Sequence, residues 1–175
     1  NGTYALGLGV ILFIVFILVY ILVLVGIIYI QLAERRIPVQ YANRTTSAYG
    51  AQQSYLPIKI NSAGVIPVIF ASALISIPSI LASFIKNDSF TLFVNKWIVT
   101  TTPTGLILYV LLIFGFAYFY TFIQLKPNEL ADNLNKNGGY IPGVRPGDDT
   151  VEHVSKIIRR ITFVGAGALA VIAAL

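Results

Sequence analysis

The serines of one apolar run, Ser62, Ser72 and Ser76 among them, are the closest approach to nucleophiles in this 175-residue chain. A serine nucleophile needs a base within hydrogen-bond reach. No His, Asp or Glu lies in that run or in the apolar part of any other. The only histidine, His153, stands in "VEHVS", which lacks the H-E-x-x-H spacing that sets two imidazoles on one helix face around zinc. Its charged neighbours predict that it faces water. Without cysteine there are no disulfides and no thiolate metal sites. Enzymatic and proton-driven chemistry both need ionisable groups at membrane depth, so both are disfavoured and no cofactor is expected. The serines are better suited to hydrogen bonding between helices.

One side chain does stand in a setting built to present it. In "YIPGVRPGDD", residues 140–149, Arg145 is bracketed by the turn signals Pro142-Gly143 and Pro146-Gly147. The preceding "PNELADNLNKNGG" predicts a short helix, with Pro127 near its start, Leu130 and Leu134 on one face, and Asn137-Gly138 ending it. After the turns, Asp149 and Glu152 form a capping-box-like start. The helix they open is expected to continue through Lys156, Arg159 and Arg160 into an apolar run. A guanidinium offers a rigid fork of donors suited to carboxylates. Arg145 is thus either a docking contact or an ordinary interfacial charge.

These loops hang from an apolar frame. The chain is 57% hydrophobic and 11% charged, against about 25% charged in an ordinary soluble domain. No charge falls between Asn1 and Ala33, Ile60 and Ile85, or Trp97 and Leu125. Uncharged apolar runs longer than about 18 residues read as transmembrane helices. Four spans are predicted: 6–30, 58–84, 104–125 and 157–175. The connections are 31–57, 85–103 and 126–156. The last span has only 15 residues beyond Arg160, and the chain holds no methionine. It is therefore expected to be an internal piece of a longer polytopic, all-α membrane protein. A secretory signal is a poor alternative for the first run, because that run is long and its charges, Glu34, Arg35 and Arg36, follow it.

Basic residues predict the orientation. Arg35, Arg36, Arg44 and Lys59 lie around the first connection, and Lys126, Lys136, Arg145, Lys156, Arg159 and Arg160 around the third. The second has only Lys86 and Lys96, with Trp97 at an interfacial position. This asymmetry places the two long connections on the cytoplasmic side. The net charge of +5 is then mostly topology. The first connection, "ERRIPVQYANRTTSAYGAQQSYLP", is too long for a mere connector. Its arginines either anchor to anionic headgroups or receive a cytoplasmic partner.

The second span is built unlike the others. "NSAGVIPVIFASALISIP" carries Asn61, Ala63, Gly64, Ala71, Ser72, Ala73 and Ser76, all small or polar. Such residues permit close approach between helices. Pro67 is expected to loosen the turn behind it and invite a kink. Helical spacing puts Asn61, Val65, Ile69 and Ala73 on one stripe. That stripe suits either a wall that parts from and meets another helix, or a tightly packed helix with a proline kink.

Three segments, "AERRIPVQYA" (33–42), "LPIKINSAGVIPVIFASA" (56–73) and "GGYIPGVRPG" (138–147), occur in an order and at separations that resemble the carboxy-terminal half of the SecY family. Its members are the channel subunits of the bacterial Sec protein translocase. The resemblance covers nearly the whole chain and both long loops. It implies an inverted-repeat helical channel in which these spans are the sixth to ninth of ten. Ile69 would belong to the aliphatic pore ring, Val65 and Ala73 to the adjoining wall, and Asn61 to the polar position of the lateral gate. Arg145 would meet the motor ATPase SecA, with Arg35, Arg36 and Arg44 as further candidates for SecA or the ribosome. Implied partners also include SecE- and SecG-type small membrane subunits, signal-sequence-bearing polypeptides and lipids. The implied location is the bacterial cytoplasmic membrane, crossed several times. A small-solute transporter, which would need a coordinating cluster at mid-membrane, and a membrane docking scaffold are the alternatives.

Overall fold

The structure, a computed structural model, describes residues 2–42 and 54–175. In chain order its elements are α1 (Gly2–Leu32), β1 (Glu34–Tyr41), β2 (Ser54–Lys59), α2 (Ile66–Ile85) and α3 (Asp88–Trp97). They continue with α4 (Pro103–Leu125), α5 (Pro127–Lys136), β3 (Gly139–Tyr140) and α6 (Asp148–Ala174). Four stretches containing α1, α2, α4 and α6 are long and apolar enough to cross a membrane. The helical class is as expected. The small sheet is not.

That sheet forms from the two long connections. β1 pairs antiparallel with both neighbours in the order β2-β1-β3, with Ile37 opposite Leu56 and Gln40 opposite Tyr140. Ile37, Val39 and Ile58 point inward, and the residues between them stay exposed, the period-2 alternation of a half-buried strand. They meet Leu134 of α5, Ile141, and Val154, Ile158 and Ile161 of α6 in one apolar core. Gly139 sits where a Cβ would lie 2.8 Å from the Tyr41 ring. We call this unit the head.

A second core lies among the spans. Ala71 and Ile75 of α2, Tyr109 and Ile113 of α4, and Leu169 of α6 are buried together. Helix α6 thus enters both cores along one continuous rod. Where the two units join, Gly165 of α6 lies against the Ile60 carbonyl, which a Cβ would approach to 2.6 Å. α1 is largely exposed and touches the remainder mainly through α6. Its end is held by a backbone bond from Ile60 N–H to the Ala33 carbonyl at 2.9 Å.

Local chemistry explains the boundaries. The second apolar run becomes helical at Ile66, not at 58, because β2 claims its first two residues and turns follow. Gly64 takes φ +65° there, a conformation glycine reaches without strain. Pro67 falls in the first turn of α2, where a missing amide costs nothing. It starts this helix; it does not kink it. Pro78 is the proline inside α2. The segment 85–103 holds α3, capped by Asn87, whose Oδ1 accepts from the Ser89 and Phe90 amides. α2 and α4 both end on left-handed lysines, Lys86 and Lys126, cations placed at the negative end of the helix dipole.

Candidate functional site

Two places gather the residues singled out above: the unpacked side of α2 and the tip of the head. On α2, Ala71 and Ile75 are buried, and the Ser72 hydroxyl meets the Tyr109 hydroxyl at 2.9 Å. Phe70 stacks on Phe116 with centroids 5.6 Å apart. These contacts commit one side of α2 to α4 and α6. The opposite side, about half a turn away, carries Ile69, which is 60% exposed, and the exposed Ala73. Val65, next along this wedge at the helix N-cap, is half-exposed.

Asn61 departs from the expected stripe. It belongs to the turn before α2, so helical spacing does not connect it to Ile69. Instead Asn61 and Val65 line a cavity of about 110 Å³ with Ile30 and Gln31 of α1 and Leu169 and Ala173 of α6. The serines also divide. Only Ser72 bonds between helices, since Ser76 donates back to the Ser72 carbonyl and Ser62 to the Lys59 carbonyl.

The head displays its arginines. Arg145 is exposed between turns containing Gly143 (φ +82°) and Gly147 (φ +109°). Behind it, Ile141 is buried and Val144 packs on the head core. The capping box does not form: α6 begins at Asp148, its N-cap is Gly147, and no side chain caps it. Asp149 lies inside the first turn, and Glu152 pairs forward with Lys156 at 2.8 Å. The carboxylates of Asp148 and Asp149 still oppose the positive end of the helix dipole. His153 is half-buried in a shallow polar depression with Arg145, Asp149 and Lys156.

Arg35 and Arg36 open β1 and are exposed. The Arg36 Nε donates to Glu34 at 3.0 Å. Arg44 lies outside the described residues. The sheet ties the two long connections together: Tyr140 Oη donates to Gln40 Oε1 at 2.9 Å, and the Ala42 amide donates to the Gly138 carbonyl. Sequence reasoning passed over Thr150. It is 1% exposed, and its hydroxyl donates to the Arg145 carbonyl at 2.8 Å. A threonine three residues into a helix, just after a Pro-Gly turn, was the available signal.

Among the described residues no group of His, Cys, Asp and Glu is arranged to hold a metal ion. With four membrane-length apolar segments, two cores sharing one helix, and a sheet-containing head, the molecule is a polytopic helical membrane protein. The SecY family profile matches residues 1–175, and the chain belongs to that family. It is 49% identical over 155 residues to the protein translocase subunit SecY of Bacillus subtilis, covering 87% of this chain and 36% of that protein. Against the SecY subunit of Halalkalibacterium halodurans it is 45% identical, over 97% of this chain and 40% of the relative. The chain therefore spans about two fifths of the length of these relatives.

Solved structures share the fold. One, described as a study of how the SecY plug domain stabilises the closed state of the translocation channel, aligns with TM-score 0.57 and 21% identity over 87% of this chain and 41% of its own. Another, described as a protein-conducting channel, aligns with TM-score 0.54 and 20% identity over 90% of this chain and 40% of its own.

Proposed function

We propose that this chain forms the carboxy-terminal half of a protein-conducting channel subunit. In this reading the assembled subunit passes secretory polypeptides across the bacterial cytoplasmic membrane and releases membrane segments sideways into it. The observation that carries the reading is the division of α2 into a packed side and an open aliphatic side holding Val65, Ile69 and Ala73. Flexible aliphatic side chains adapt to many passing residues, and a narrow apolar constriction resists ion flow by dewetting. Ile69 is assigned to the pore ring, Val65 and Ala73 to its wall, and Asn61, on the turn above α2, to the gate's polar end.

The head is then the cytoplasmic face, which the excess of basic residues in its connections supports. Arg145 docks the motor SecA, with Arg35, Arg36 and Arg44 contributing to contacts with SecA or the ribosome. Exposed apolar faces, α1 above all, are left for lipids, the amino-terminal half and SecE- and SecG-type subunits. The driving energy comes from the motor or from chain elongation, and this subunit hydrolyses nothing.

The test is photocrosslinking from position 69 of the full-length protein to a secretory chain arrested midway through export. A crosslink is expected at 69 and not at Leu111, which is 63% exposed on the outer side of α4. Equal crosslinking at both positions, or none at 69, would move the pore elsewhere and leave a docking platform.

A further inference from the structure

We infer that Thr150 is the positioning residue of the Arg145 tip, holding the arginine's backbone so that its side chain is presented at one angle. The inference rests on the docking role proposed for Arg145. Two glycines at positive φ, Gly143 and Gly147, flank the tip. Glycine leaves a chain more conformational freedom than any other residue, so a tip set between two of them needs a fastening. Backbone bonds supply part of it, from Val144 N–H to the Ile141 carbonyl and from Thr150 N–H to the Gly147 carbonyl. Neither reaches residue 145. The Thr150 hydroxyl does, across five residues, from a site that is 1% exposed.

The direction of this bond is informative. A Ser or Thr serving a helix start accepts from a free amide of the first turn. Thr150 instead donates backward to a loop carbonyl. The hydroxyl therefore serves the loop, while the Thr150 and Val151 amides bond to the Gly147 carbonyl. The guanidinium remains exposed while its backbone is fixed from the buried side.

The experiment uses the full-length channel, with its small subunits, in vesicles supplied with the soluble motor ATPase. The readouts are the motor concentration giving half-maximal transport and the plateau rate. Thr150→Val keeps the shape and removes the donor. It is expected to raise the half-maximal concentration about three- to ten-fold, the range for losing one hydrogen bond, with the plateau unchanged. Thr150→Ser should restore the wild-type value. In an Arg145→Ala background, Thr150→Val should add nothing. If Arg145→Ala impairs transport and Thr150→Val does not, Thr150 has no positioning role. If Thr150→Val adds a further loss in that background, its role is general stability and the inference falls. If Arg145→Ala is itself silent, the docking reading fails first and the inference goes with it. Should Thr150→Val prevent assembly, Thr150→Ala is judged by the same readouts.

Discussion

The head and the membrane bundle are built from one chain and share one helix, yet they are finished differently. The head closes its own core: Ile58, Val154 and Ile158 are at most 1% exposed. The bundle buries Ala71 and Ile113 equally well but leaves Phe13, Ile69 and Leu111 more than half exposed. Water surrounds the head, so every apolar side chain left outside would cost free energy. Around the spans lipid is as apolar as the side chains, and association there relies on packing and a few hydrogen bonds. An open aliphatic face is therefore tolerable on α2 and would be a liability on the sheet.

The contrast can be broken or sharpened by substitution. The largest effect is expected from Ile158→Ala, which should destabilise the head by about 2–5 kcal/mol, seen as faster proteolysis of its loops. The equally buried Ile113→Ala should cost clearly less in membranes, since its unpacked reference state lies in lipid and only packing is lost; equal costs would remove the distinction between the two regions. Next is Gly165→Val at their junction, where the Ile60 carbonyl stands in the way. A cost of about 1–3 kcal/mol should appear as a lowered thermal unfolding midpoint in detergent. Tyr109→Phe removes the Ser72 contact and should cost about 0.6 kcal/mol, measurable by reversible unfolding in bicelles. On the proposed channel reading, Ile69→Asn should leave stability within about 0.5 kcal/mol while raising ion conductance of the full-length protein. An unchanged conductance would place Ile69 away from the seal.

The sequence made the spans legible because uncharged runs leave few alternatives. It also marked α5, from Pro127 and Glu129 to Asn137-Gly138, and the paired turns around Arg145. It did not disclose the sheet, although Ile37, Val39, Leu56 and Ile58 alternate in the manner of strands. Pro38 and Pro57 interrupt both segments, and prolines argue against strands unless at edges or unpaired positions. β3, two residues long, is determined almost wholly by what packs around it. Proline also misled at position 67, since its effect depends on whether the helix has already begun. Ile69 and Ala73 share the face that spacing predicted, whereas Asn61 does not, because spacing arguments hold only inside one helix. Thr150 was marked only by its place just after a Pro-Gly turn, since its partner is a backbone carbonyl, which any residue carries.

The pairing of β1 with β3 has a consequence for the order in which the protein is made. Gln40 and Tyr140, which touch across that pair, are separated by 100 residues. At roughly 5–20 residues per second, a ribosome needs about 5–20 s to travel between them. During that interval the first strand has left the ribosome, while the cover supplied by α5, Ile141 and α6 does not yet exist. Two spans, α2 and α4, must find the membrane with a half-built sheet waiting beside them. Nascent chains stalled near residue 130 should therefore expose strands β1 and β2 to protease, and chains released from the ribosome should protect them.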